Sequence, residues 1–184
     1  MNDVTISKFI SLVLRHNPSL IKLDLDANGW VSVDQLIANA KKLQNVVFTK
    51  DDLFRVVDTN DKKRFALNED KTRIRASQGH SINVDLQLEP IEPPDILYHG
   101  TANQFIRFIV REGIKKMNRT HVHLSDTIYT AEKVGTRHGE VIVIPIKAKM
   151  MHQDGFKFYK SENNVWLTDS VPTKYFDIPT LESL

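Results

Sequence analysis

Cysteine is absent from the 184-residue chain, which removes disulfides, cysteine nucleophiles and thiolate-bound zinc in one step. Any metal site would have to use His, Asp and Glu. Glycine and proline are sparse, at seven residues each, so collagen-like and low-complexity disordered classes are excluded. No apolar run approaches the roughly 18–20 residues that a membrane helix needs. The start Met1-Asn2-Asp3-Val4-Thr5 lacks the basic-then-apolar pattern of a signal peptide. These absences predict a soluble, cytoplasmic protein. What is present is ordinary for a globular chain: hydrophobic residues at 41% and charged residues at 26% can bury a sizeable core in one domain or two small ones.

The net charge of +2 hides local structure. Lys62 to Arg75 carries six basic residues against Glu69 and Asp70, and Arg107 to Arg119 carries five against Glu112. Runs of this kind are usually solvated faces, but two of them could also serve a polyanion.

The segment from Glu89 to Asp95 holds three of the seven prolines and reads as a linker between two lobes, centred on residues 90–95. Before it, Val4, Ile6, Phe9, Ile10, Val13 and Leu14 recur near helical spacing, predicting a helix over Thr5–Arg15 that ends before Pro18. Ser32 reads as the N-cap of a helix over Val33–Lys42. Thr49, with Asp52 three residues on, reads as a capping box for Asp51–Val57. Two short alternating segments, Arg64–Leu67 and Thr72–Ala76, flank the turn Asn68–Lys71. Three helices followed by a two-stranded ribbon is the order of a winged helix. After the linker, strands are predicted at Ile96–His99, His121–Leu124, Val141–Ile146, Phe156–Tyr159 and Val165–Leu167, with helices at Gln104–Glu112 and Thr127–Gly135. The expected fold class is therefore α+β: an N-terminal lobe over residues 1–89 and a β-rich lobe over residues 96–184.

Four clusters combine Arg or His with tight turns: Leu14-Arg15-His16, Ile74-Arg75-Ala76 through Gly79-His80-Ser81, Tyr98-His99-Gly100-Thr101, and Arg119 through His121-Val122-His123-Leu124-Ser125. Arg offers a permanently charged planar fork for phosphate, and His can move a proton near neutral pH. This inventory favours chemistry on a phosphate. Each cluster also has a plainer reading. Arg15 and His16 at a helix C-terminus would complement the helix dipole, the glycines would serve turns, and His99, His121 and His123 together would offer a three-histidine zinc site.

Taken in order, the clusters resemble the RNA 2′-phosphotransferase family of the KptA type. The resemblance runs through Leu14-Arg15-His16-Asn17-Pro18, Gly29-Trp30, Lys63-Arg64-Phe65, the Arg75 and His80 segment, Tyr98-His99-Gly100-Thr101, the Arg119 segment, Arg137-His138-Gly139, and Asn164-Val165-Trp166-Leu167-Thr168 ending in Val171-Pro172. Four positions depart from the family pattern: Ser77 stands where Asn is usual, Asn164 where Gly is usual, and Thr173-Lys174 where Pro-Glu is commoner. The resemblance implies a winged-helix lobe joined to an ADP-ribosyltransferase-like lobe that uses NAD as co-substrate.

It also implies an activity of the kind tied to tRNA splicing. An internal RNA 2′-phosphate is removed through a 2′-phospho-ADP-ribosylated RNA, giving 2′-OH RNA, nicotinamide and ADP-ribose 1″,2″-cyclic phosphate. On this reading the catalytic set is Arg15, His16, Arg75 and Arg119. Arg15 and Arg75 clamp the phosphate, Arg119 stabilises its charge, and His16 carries a proton. The NAD surface is formed by His99, Gly100, Thr101, His121 and Ser125, with His80 and Ser81 nearby. A monomer is expected, with no metal and no membrane partner. Two other classes compete: a non-enzymatic winged-helix binder, disfavoured by the acidic stretch Asp51–Asp58, and a three-histidine hydrolase. Within the NAD chemistry, terminal phosphates of RNA or DNA are the alternative acceptors.

Overall fold

A computed structural model of the chain describes residues 1–177, the side chain of His138 apart; residues 178–184 of the expected second lobe lie outside the described residues. The chain divides into two compact units, Met1–Gln87 and Leu88–Leu184. Both mix helices with small sheets. No described helix is long and apolar enough to cross a membrane.

The first unit starts with α1 (Asp3–Arg15), capped by the Asn2 side chain and closed at His16. Ile6, Ile10, Val13 and Leu14 fall on one face of it and are buried, each contributing about 1.5–3 kcal/mol through lost water contact. A short 3-10 turn over Pro18–Ile21 leads to β1 (Val31–Ser32) and α2 (Val33–Gln44), where Ser32 accepts from the Gln35 N–H. Next comes α3 (Lys50–Thr59), opened by a reciprocal capping box between Thr49 and Asp52. The strands β2 (Phe65–Leu67) and β3 (Arg73–Ala76) pair antiparallel with Phe65 opposite Ala76, and β1 adds to the other edge of β3. The third strand escapes sequence reading because its two residues also form the approach to the α2 cap. Of the acidic residues of α3, Asp52 is engaged in structure: it caps its helix and, with Asp3, holds Arg55 at 2.8 Å.

In the second unit, β4 (Leu97–Ala102) pairs antiparallel with β7 (Val141–Ile146) along its whole length. Between them run a 3-10 turn, α4 (Ile106–Glu112), β5 (Ile114–Lys115), β6 (Val122–Leu124) and α5 (Ile128–Gly135). After β7 come α6 (Ala148–Gln153), β8 (Tyr159–Lys160), β9 (Trp166–Thr168) and β10 (Ser170–Val171). β9 lies between β6 and β8, β10 pairs β5, and an isolated bridge joins Tyr98 to Ser125. A core of Leu97, Val122, Leu124, Ile144, Ile146, Phe158, Trp166 and Tyr175 fills the interior.

The proline segment is tied to this second unit. The Ile91 N–H donates to the Phe158 carbonyl, and the Lys149 N–H to that of Asp95. Asn164 sits at φ +62, a left-handed conformation that Asn tolerates better than most residues, which accounts for its standing where glycine is usual.

Candidate functional site

In the first unit, the end of α1, the middle of β3 and the loop after it come together. Arg15 is the last residue of α1 and Arg75 lies on β3, only 8% exposed. The Trp30 ring lies under the Arg75 guanidinium at 4.6 Å, and Arg75 Nη1 donates to the Asn28 carbonyl at 3.5 Å. Trp30 is positioned in turn by Asp26, whose carboxylate accepts from the N–H groups of Asn28 and Trp30 and pairs with Arg73. The loop 77–81 crosses the end of α1. Ser81 N–H donates to the Arg15 carbonyl, and Ser81 Oγ is hydrogen-bonded to His16 Nδ1 at 2.8 Å. Gly79 is at φ +88, and a Cβ there would stand 3.4 Å from the Arg15 guanidinium carbon. The loop passes flat against that side chain because it has none of its own.

His80 is the centre of this arrangement. It is 1% exposed, and its Nε2 has no hydrogen-bond partner among the described residues. Burial pushes its pKa down to about 4, and the charges that act on it, from Arg15, His16 and Arg75, push the same way. It is therefore a neutral imidazole inside a positive cluster. Such a cluster is a place for an anion.

The second unit holds a different arrangement. His99 on β4 donates from Nδ1 to the His123 carbonyl at 3.0 Å, and burial pushes its pKa down, so Nε2 is left as an acceptor. Arg119, in the turn before β6, donates from Nη1 to His123 Nδ1 at 3.0 Å. The residue as a whole is exposed, yet partial desolvation of its guanidinium, and then the charge of Arg137, hold its pKa below the usual arginine range. Two guanidinium groups that repel each other, with no described carboxylate pairing either, suit the phosphate groups of a nucleotide. Thr101 is buried, and Ser125 is joined to Tyr98 through two backbone hydrogen bonds of 2.8 Å.

Two expected nucleotide-binding positions have other surroundings. A Cβ on Gly100 would lie 1.7 Å from the Ala131 carbonyl oxygen, so Gly100 is where α5 crosses β4 backbone to backbone. His121 faces the Tyr159 ring at 5.6 Å, and its four-residue separation from Ser125 along extended chain is about 13 Å. His123, Arg137 and Trp30 join the site only through the fold and are not among the residues that sequence predicts for it. The signals were there: His123 alternates with His121, and Arg137 and Trp30 stand in quoted motifs. Among the described residues no three His, Asp or Glu side chains converge as metal ligands, so the three-histidine alternative has no geometry.

Residues 1–170 match the model of the family described as "RNA 2′-phosphotransferase, Tpt1 / KptA family". The chain belongs to this RNA 2′-phosphotransferase family. Among its relatives, a protein of Flavobacterium johnsoniae named probable RNA 2′-phosphotransferase is 56% identical over 173 residues, 94% of each chain. One of the same name from Hahella chejuensis is 54% identical over 172 residues, 94% of this chain and 92% of its own. Another, from Fusobacterium nucleatum, is 52% identical over 175 residues, 95% and 97%. The RNA 2′-phosphotransferase match spans both units, so the Arg15 cluster and the Arg119 cluster lie within the family's common region.

Proposed function

We propose that the chain is an NAD-dependent RNA 2′-phosphotransferase that removes an internal 2′-phosphate from RNA, leaving a 2′-hydroxyl and releasing nicotinamide and ADP-ribose 1″,2″-cyclic phosphate. The observation that carries this reading is the all-positive surrounding of buried, neutral His80 by Arg15, His16 and Arg75. The three-helix, three-stranded order of the first unit fits a winged-helix lobe, and the small paired sheets of the second fit an ADP-ribosyltransferase-like lobe.

NAD supplies a ribose carbon from which nicotinamide departs. A phosphomonoester, with a second pKa of about 6, is already largely a dianion at neutral pH, so the protein must position it rather than deprotonate it. Arg15 and Arg75 do this as fixed charge donors, Arg75 held by the Trp30 ring. Proton exchange between ribose hydroxyl and RNA oxygen falls to His16, whose imidazole is oriented by the hydrogen bond of its Nδ1 to Ser81. Arg119 stabilises the phosphate's charge in the second unit, with Arg137 beside it. His99, Thr101 and Ser125 form the nucleotide surface. The guanidinium groups supply the positive charge that Mg²⁺ supplies in many phosphoryl transfers.

The test is incubation with a short RNA bearing one internal 2′-phosphate, with and without NAD, in excess chelator. The expected result is 2′-OH RNA and an equivalent of nicotinamide with NAD only. Conversion without NAD, or none at all, overturns the reading. An arm with a 5′-terminal phosphate in place of the internal one reports whether terminal acceptors are also used.

A further inference from the structure

Pairing register sets His123, Leu167 and Tyr159 in one row across β6, β9 and β8, with Leu167 buried between the half-buried His123 and Tyr159. His121, two residues before His123, lies on the same face. There it meets a cavity of about 380 Å³ lined by His121, Phe156, Lys157, Tyr159, Thr168 and Asp169. The two rings stand 5.6 Å apart at 59°, tilted rather than stacked on each other. His121 Nδ1 is buried with no hydrogen-bond partner among the described residues. Lys116 pairs with Asp169 at 2.8 Å at the rim, and Lys157 is exposed beside it.

The geometry points to a pocket for one nucleobase of the acceptor RNA, a neighbour of the nucleotide that carries the phosphate. This rests on the proposed activity and names a further part of its substrate. An aromatic ring edged by lysines is the device by which proteins hold single-stranded nucleic acid: the base stacks, the ammonium groups meet the backbone. The unpartnered His121 Nδ1 offers a hydrogen bond to the base edge, and Asp169 offers an acceptor for an exocyclic amine. Position decides between sources. The pocket begins two extended residues, about 7 Å, from the His123 that holds Arg119, close to the spacing of successive nucleotides. Ser125, of the proposed nucleotide surface, lies at the other end of β6, bridged there to Tyr98 of β4.

The experiment measures direct binding by fluorescence anisotropy, independent of turnover. Three labelled 2′-phosphorylated oligoribonucleotides are compared: one intact, one abasic on the 5′ side of the phosphate, one abasic on the 3′ side. Wild type should bind one abasic RNA about tenfold more weakly than the intact RNA. Tyr159→Ala should lose about tenfold for the intact RNA and nothing further for that abasic one. Tyr159→Phe should restore the difference, since stacking needs the ring and not the hydroxyl. The KM for NAD should not move in either variant. Equal binding of all three RNAs by wild type, an equal loss for all three in Tyr159→Ala, or a raised KM for NAD overturns the pocket. Base-dependent binding without any turnover leaves the pocket standing and removes the proposed activity.

Discussion

The two units hold their arginines in opposite ways. In the first, Arg15 ends a helix and Arg75 sits inside a strand, the one flanked by a bare glycine backbone and the other by an indole ring. In the second, Arg119 stands in an exposed turn and Arg137 in a single 3-10 turn, and Arg119 is held by one hydrogen bond to His123. The contrast teaches that one cluster is built to be rigid before an anion arrives, while the other can adjust to it. Preorganised charge costs nothing to arrange at the moment of reaction, whereas a mobile guanidinium can follow a group that changes shape.

The largest expected effect tests packing in the second unit against that in the first. Gly100→Ala puts a methyl group 1.7 Å from a backbone oxygen, so the stability of the second unit should fall by about 4 kcal/mol or more, read by thermal melts. Gly79→Ala, where the neighbour is a side chain at 3.4 Å and the strain is one of φ alone, should cost about 1 kcal/mol. Equal losses would dissolve the contrast.

Next in size is a pH effect from His80. Its folded pKa of about 4 lies below the unfolded value of 6.5, so the unfolded chain binds the extra proton in between. Its contribution is fully present above pH 6.5 and is lost as pH falls toward 4, amounting to about 3 kcal/mol. Urea melts of wild type and His80→Gln across this window should show the steeper slope in wild type, the slope left in the variant coming from His99 and His121, whose pKa burial also lowers. Asp52, lowered to about 2, acts in a separate and more acid window.

Third, Arg75→Ala and Arg119→Ala should each slow turnover on the order of hundredfold. The lysine variants separate the clusters. Arg75→Lys should recover little, because a point charge neither stacks on Trp30 nor forks, while Arg119→Lys should recover about tenfold from its exposed turn. Equal recovery would break the comparison. The smallest expected effect is that of Trp30→Leu, a rise of about tenfold or less in the KM for 2′-phosphorylated RNA with KM for NAD unchanged.

The first unit was the more legible in sequence. Its helices announce themselves by period and by Ser32 and Thr49 caps, and the structure extends each by only a few residues. In the second unit Val141–Ile146 was read to the residue, since a β-branched run has one plausible state. The helix at Ala148–Gln153 went unread because it has six residues and no side-chain cap. Two-residue strands such as β5 and β10 exist only through their partners and carry no pattern of their own. For the site, charge type was readable and neighbourhood was not: nothing local distinguishes Gly100 as a helix crossing or pairs Trp30 with a strand forty-five residues away.

The bare crossing of α5 over β4 also bears on how this protein can be altered. With the Ala131 carbonyl against Gly100, and Gly135 against the Thr101 backbone and the Val141 side chain, helix and strand meet at two points where backbone atoms set the distance. Neighbouring contacts can drift by compensating pairs of substitutions, one side chain growing as another shrinks. This joint cannot, because even with Val141 trimmed a Cβ on Gly135 would stand 3.0 Å from the Thr101 backbone, and one on Gly100 1.7 Å from the Ala131 oxygen. A library seeking new acceptors should therefore hold both glycines fixed and draw its diversity from exposed positions such as Asp126 and Met117.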